Sequence, residues 1–470
     1  MASSGDKFYY WMYRVVWVIV IVLGIIGALM FLKQAFAFTA VSRFASVIGT
    51  NPSMLIDQIV KPVLLTLLIV LGIAFVVGFL EIVLVALVGE EVILLVAWIT
   101  PFLFIGGSFF LYWQSNWDSN YLGGAILGAL LLIFLIIFRK KLRVSARLIE
   151  KSAEIVAGNP TMIVPQLGAG VFVLLANLLG VSGAFAVSTV AFNIHPYLSL
   201  IAGVIYYWLV LFIIAGSRAF ADAHNIAYAD EWYTKPGDPV YSHASKTVKE
   251  LKGPIAKYAF LMTFVAWFKS RRKSYSTSNI TGGNITNLFR LDYLSKKLFR
   301  FLSFRSSTSV ANSVGSTVAS AIEYIGKYTL VIIVTKKVRS MTQAYKESAK
   351  TVFKTFITTV GGTIGFAIID NLRKGIAFIL FIVSGAYYGY KFPELAELAN
   401  TSIVSRIIWA LVMALLFYAV GFQTIDIMFN PVSNTFNVLL YRSFTDIKSG
   451  KKPSSKLDKK TRELMVEVFK

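Results

Sequence analysis

Long apolar runs alternate along this chain with short polar ones. Blocks of about twenty mostly apolar residues, the length that crosses a hydrocarbon core as a helix, recur at 13–32, 62–85, 92–112, 121–138, 162–187, 197–216, 355–388 and 403–422. Two shorter apolar segments, 255–268 and 328–334, leave the number of crossings open. If both cross, the basic stretch between them lies outside, against the positive-inside bias; if neither does, the eight long runs remain. The pattern therefore predicts an all-α polytopic membrane protein, a bundle of 8–10 transmembrane helices with interfacial amphipathic helices.

The segment from Arg139 to Pro165 organises this reading. Leu142, Ala146, Ile149, Ala153 and Val156 recur at three- and four-residue steps among Arg, Lys and Glu, which predicts an amphipathic helix lying along an interface. Asn159-Pro160 then ends it, because a residue before proline is pushed out of the α region. A weaker copy, Val47 to Ile56, precedes the second apolar run, and Tyr345 to Phe356 repeats the charged Ser-Ala core without the Asn-Pro. These copies point to a repeated unit in which a surface helix leads into a span.

Composition agrees with the pattern. The 470 residues are 56% hydrophobic and 15% charged, with a mean hydropathy of +0.68, outside the range of a soluble globular domain. Cysteine is absent, which excludes disulfides and thiolate metal sites. The net charge of +22 is clustered at 139–147, 269–305 and 442–470, flanking apolar runs as cytoplasmic loops do. No base-stacking or groove-reading module accompanies that charge, so a nucleic-acid partner is not expected. Anionic headgroups are, at about 1 kcal/mol for each Lys or Arg near a charged surface. Lys33 directly follows the first apolar run, which argues for a retained span rather than a cleaved signal peptide.

The expected organisation is an N-terminus and first span at 1–34, a short outer loop at 35–61 and spans two to four within 62–138. A core at 139–430 follows, with inner loops at 217–254 and 269–317, and then a basic tail at 431–470. Both termini are expected in the cytoplasm. The Asn-Ile-Thr triplets at Asn279 and Asn284 fall in a region assigned inside, where such acceptors carry no meaning.

Acidic residues inside apolar runs are the most informative chemistry, because a charge at the bilayer centre costs at least ~2.5–3.5 kcal/mol and must be compensated. Glu81, Asp370 and Asp426 meet that description. Each is a candidate cation counter-charge or proton site; Asp370 alternatively pairs with Arg373 or Lys374, and Asp426 with a span end near Asn430-Pro431. The acidic block of Asp222, Asp230, Glu231 and Asp238, with His224 and His243, reads as an inner loop that salt-bridges to basic neighbours. No metalloprotease helix, nucleophile elbow or phosphate-binding loop is present, so neither an enzyme nor a cofactor is expected.

From Arg139 to Lys460 the order of elements resembles the choline transporter-like family of solute carriers. Lys141 to Ala153 followed by Pro160 and Pro165 is similar to that family's basic helix, Tyr206-Tyr207-Trp208-Leu209 to its aromatic span, and Ala227 to Pro239 to its Trp-Tyr motif with a Pro-rich tail. Gly421, Phe422, Thr424, Ile425 and Met428, then Asn434 to Gly450, resemble its C-terminal elements. The chain departs from that pattern in its short outer loop, in Asn434 where the family has Asp and in Glu231 where it has Ser. The resemblance implies transport of choline or a similar small organic cation. Such a cation is held against aromatic faces at about 0.5–2 kcal/mol per contact, which makes Trp208, Tyr207 and Tyr206 the candidate ligands, with Tyr387, Tyr388, Trp409 and Tyr418 as further aromatics. Interface anchoring is the competing use of each ring. The competing function is a non-transporting membrane scaffold or lipid-binding subunit, which predicts either a co-purifying protein partner or lipid occupying every groove. Transport requires Trp208 and Glu81 to face a shared interior.

Overall fold

A computed structural model describes residues 4–37, 61–114, 122–237, 239–275, 325–395 and 403–469. Helix accounts for 93% of it and no strand occurs among the described residues. In chain order the helices are α1 (Ser4–Ala37), α2 (Lys61–Gln114), α3 (Leu122–Gly158), α4 (Ile163–Ile194), α5 (Pro196–Thr234), α6 (Tyr241–Glu250) and α7 (Lys252–Tyr275). After them come α8 (Ile325–Thr335), then α9 (Met341–Lys354), α10 (Phe356–Ala377), α11 (Val383–Leu395), α12 (Ile403–Lys448) and α13 (Lys459–Phe469). Among the described residues six helices are long and apolar enough to cross a membrane, and the protein is an all-α membrane bundle.

Six helices stand against eight long apolar runs for two physical reasons. The runs at 62–85 and 92–112 share α2, broken only at Val88 (φ −138°, ψ 20°) immediately before Gly89-Glu90-Glu91. The run at 355–388 is divided among α10, a π-helical turn at Phe378–Ile382 and α11, and its middle carries Asp370, Arg373 and Lys374. The two uncertain segments differ in kind. α7 is a helix of 24 residues, whereas α8, about 16 Å long at ~1.5 Å per residue, is too short for a bilayer. Tyr328, Leu330, Val331, Ile332, Ile333 and Val334 of α8 are all at most 2% exposed, so α8 is an internal helix. Burying each such side chain is worth roughly 1.5–3 kcal/mol.

α1, α4 and α5 form one tight unit. A Cβ on Gly27 would lie 1.7 Å from the Ser182 carbonyl oxygen, and one on Gly183 would lie 2.0 Å from the Tyr206 hydroxyl. Those glycines let the helices touch through backbone, as small residues do in membranes. Ser182 Oγ donates to Gly24 O at 2.8 Å. On the other side, α2 packs with α12 and the π-helical turn around Val70, Ala74, Phe381, Met413 and Phe417, and Thr66 Oγ1 donates to the Tyr388 hydroxyl of α11 at 2.8 Å.

The segment 139–158 corrects the sequence reading. It does not lie along an interface but forms the last turns of α3, with Leu142, Val144, Ala146, Leu148, Ile149, Ala153, Ile155 and Val156 all buried. The apolar positions expected from the spacing are buried; the helix is surrounded on more sides than an interfacial helix would be. Asn159 ends it as expected, its Nδ2 donating to Ile155 O at 2.8 Å and its Oδ1 accepting from the Tyr228 hydroxyl at 3.1 Å. Likewise 431–448 does not begin a free tail. It continues α12 through Pro431, with Phe436, Val438, Leu439 and Leu440 fully buried. The copy at Val47 to Ile56, nearly all of the outer loop 35–61, Asn279, Asn284 and most of the loop 269–317 lie outside the described residues.

Candidate functional site

Two carboxylates pair with one guanidinium, and a third lies within electrostatic range of it. Arg373 of α10 is 6% exposed. It pairs with Asp370 one turn earlier and, at 3.0 Å through Nη2, with Asp426 of α12. Glu81 of α2 lies within electrostatic range of Arg373, Asp370 and Asp426, and its Oε1 is buried without a hydrogen-bond partner. Lys374 also pairs with Asp370. Phe429 and Phe422 lie with their ring centres 5.3 and 5.8 Å from the guanidinium carbon. Three acids therefore share two cations, one negative charge in excess when all are ionised. Of the three acids singled out from sequence, Asp370 and Asp426 share Arg373 and Glu81 lies within electrostatic range of them, and the expected pairing of Asp370 with Arg373 and Lys374 is present.

The aromatic candidates separate. Tyr206 is 2% exposed and acts as a strut, its hydroxyl donating to Leu179 O at 3.0 Å and lying 3.4 Å from Val20 O. Tyr207 is 52% exposed on the outer face of α5. Trp208 packs against Phe212, Phe260 and Phe264 at 6.2, 5.3 and 5.4 Å between ring centres, its Nε1 buried without a partner. Trp208 and Glu81 have no neighbour in common among these contacts, so the shared interior that the sequence reading required of this pair is not formed by them. Tyr388 stacks on Phe417 at 5.5 Å, Tyr418 on Phe422 at 5.7 Å, and Tyr387 is 70% exposed.

An open groove of about 420 Å³ lies elsewhere, between α1, α4, α5 and α6. Its walls include four aromatic rings, Tyr13, Trp17, Phe172 and Phe220, and Ser217 and His224 supply polar atoms. Helix geometry sets the rings: Tyr13 and Trp17 are one turn apart on α1, with Trp17 Nε1 donating to the Tyr13 hydroxyl at 3.1 Å. That hydroxyl also meets Ser217 Oγ at 3.1 Å, and Tyr13 tilts against Phe220 at 5.6 Å while Trp17 meets Phe172 edge-on at 5.7 Å. Two glycines shape the space. Gly216 lets Tyr13 lie against α5, where a Cβ would come within 2.1 Å of its ring; at Gly168 a Cβ would meet nothing within 4 Å. His224 is 8% exposed, its ring 4.4 Å from that of Tyr241, and its Nε2 has no hydrogen-bond partner. The groove takes in neither Trp208 nor Glu81.

The acidic block, expected as an inner loop at 217–254, instead continues α5 as helix, with α6 following, and it is tied to basic and polar neighbours. Asp230 holds Arg442 of α12 through two bonds, 2.5 and 2.9 Å, and Arg442 also donates to Thr335 O of α8 at 3.0 Å. Glu231 pairs with Lys235 at 2.6 Å and His243 at 2.8 Å. Asp222 accepts from Gln166 at 2.7 Å and Asn434 at 2.8 Å; Asp238 lies outside the described residues. Further along this charged end Glu90 pairs with Arg147 at 2.8 Å. Asp458 caps α13, accepting from Thr461 N at 2.7 Å. Partial burial pushes its carboxyl up, but the Thr461 bonds and the Arg147 and Lys151 charges outweigh that and hold it below the ordinary aspartate range.

Sequence reasoning missed Tyr13, Trp17, Phe172, Phe220 and His224 as a group. They come from three helices, and the only local signal was the pair of α1 aromatics spaced one turn apart. A scan against protein-family models finds none that matches this chain, and a search of curated proteins finds no match either.

Proposed function

We propose that this chain is a multi-pass membrane transport protein for a small organic cation such as choline, with both termini on the cytoplasmic side. The Trp208 and Glu81 pairing expected from sequence does not support the reading, and the observation that carries it instead is the groove whose four aromatic rings come from three helices. A quaternary ammonium needs aromatic faces more than a carboxylate, and each face contributes about 0.5–2 kcal/mol, most where water is excluded. A volume of about 420 Å³ falls within the range of small-molecule sites, roughly 300–1,000 Å³. The groove contains no carboxylate, so it selects by face and shape. The Arg373 cluster supplies the second requirement of transport, ionisable groups within the span region whose excess negative charge attracts a cation. The order of motifs shared with the choline transporter-like family supports the same substrate class.

Uptake of labelled choline into proteoliposomes tests this reading. Wild type is expected to exceed empty liposomes, Trp17→Ala and Phe172→Ala to lose most of the uptake, and Tyr207→Ala to retain it. Uptake no higher than in empty liposomes sinks this substrate; co-purification of a stoichiometric protein partner in that event would favour the scaffold reading.

A further inference from the structure

We propose that the cleft where α3, α9, α10, α12 and α13 meet binds a phosphate-bearing anion through Lys141, Lys354 and Lys448, and that an anionic phospholipid headgroup is the source this geometry favours. The cleft has a volume of about 260 Å³ and is lined by Lys141, Phe353, Lys354, Thr355, Thr358 and Phe444, with the last residues of α13. The neighbouring Lys448 ammonium holds the Lys354 ammonium below its ordinary range. Lys448 Nζ is 5.8 Å from the centre of the Phe444 ring, which itself lines the cleft, so Lys448 stands beside the cleft. Among the described residues no ion pair joins Lys141, Lys354 or Lys448 to a carboxylate. Glu467, beside the cleft on α13, is engaged by Lys140.

Two ammonium groups held together on a water-exposed surface repel unless an anion lies between them, and a phosphate supplies both charge and several acceptor oxygens. The lipid source follows from level and neighbours. Lys141 stands where the apolar run of α3 gives way to its basic run, with Ile137 65% exposed just before it, and Phe353 is 78% exposed at the cleft mouth. A headgroup in the cleft would therefore lie at the apolar boundary, with acyl chains along exposed apolar side chains. The inference does not depend on what the aromatic groove carries.

The test uses purified full-length protein in detergent, titrated with phosphatidic acid, phosphatidylcholine or inorganic phosphate, with native mass spectrometry and thermal unfolding as readouts. Phosphatidic acid is expected to be retained and to raise the unfolding temperature, and phosphatidylcholine to do neither. Lys354→Gln with Lys448→Gln is expected to lower phosphatidic acid affinity on the order of twentyfold, about fivefold for each lysine. Lys452→Gln, outside the cleft, leaves it unchanged. Without added anion Lys354→Gln is expected to unfold at or above the wild-type temperature, because a like-charge contact has gone; that separates lost binding from misfolding. Displacement of phosphatidic acid by inorganic phosphate, with the same stabilisation, supports the anion site and assigns it to soluble phosphate. Equal retention of the two lipids by wild type, or unchanged phosphatidic acid affinity in the double variant, overturns the proposal.

Discussion

Replacing Arg373 with methionine tests the charged cluster, because the side chain keeps its length and apolar stem while the shared cation disappears. Breaking a buried pair by removing one partner costs about 3–5 kcal/mol, since it leaves uncompensated charge behind. Here Asp370 retains Lys374, whereas Asp426 loses the partner that stands 3.0 Å away and Glu81 loses the cation within its electrostatic range. The Asp426 side chain is 49% exposed and that of Asp370 31%, so water screens part of the penalty and the lower end, about 3 kcal/mol, is expected. Contact with the Phe422 and Phe429 faces is lost as well. Glu81→Gln should cost under about 1 kcal/mol, because its buried oxygen makes no hydrogen bond to lose. The double variant Arg373→Met/Glu81→Gln should recover part of the loss, since one of the stranded like charges has been neutralised. Thermal unfolding of the four proteins in one detergent reads these differences. Arg373→Met unfolding at the wild-type temperature, or Glu81→Gln falling as far as Arg373→Met, would refute the shared-cation account.

The two glycine sites predict opposite outcomes under the same assay. Gly27→Ala is expected to lose about 1–3 kcal/mol by overpacking, since its Cβ would meet the Ser182 carbonyl. Gly168→Ala should be neutral or gain up to about 1 kcal/mol from helix propensity, because its Cβ enters open space; Gly168→Leu should fold at the wild-type temperature and abolish choline uptake. Asp458→Ala should cost about 1 kcal/mol at neutral pH by removing the α13 cap. Because the folded carboxyl is held below its ordinary range, the charge-linked part of that stability is fully present above about pH 4 and is lost as pH falls through the lowered folded value. Unfolding temperatures of wild type and Asp458→Ala should therefore approach each other only in acid; a gap that widened in acid would contradict the assignment.

What the sequence disclosed depended on distance along the chain. Local spacing was sufficient for the apolar positions of α3, the stop at Asn159 and the ion pairs one turn apart, such as Asp370 with Arg373. Hydropathy separated the long spans but had no means of telling a membrane crossing from an internal helix at 328–334, because both read as short apolar runs. It also took 139–158 for an interfacial helix: the polar positions alternate as they would at a lipid surface, yet Arg147 turns to Glu90 rather than to headgroups. The sites were hidden for a different reason. Asp426 meets Arg373 and Tyr13 meets Phe220 from distant parts of the chain, and such meetings follow from helix packing that one sequence does not spell out. Trp208 showed the converse, a motif position whose ring is absorbed by Phe212, Phe260 and Phe264.

Equilibrium binding of radiolabelled choline to the purified full-length protein addresses the central claim most directly, because it needs neither a coupling ion nor an orientation in the membrane. Wild type should bind one choline saturably, and Gly168→Leu should lose that binding while keeping the wild-type unfolding temperature. Absence of saturable binding in wild type, or binding unchanged when the groove is filled by Gly168→Leu, would contradict the account.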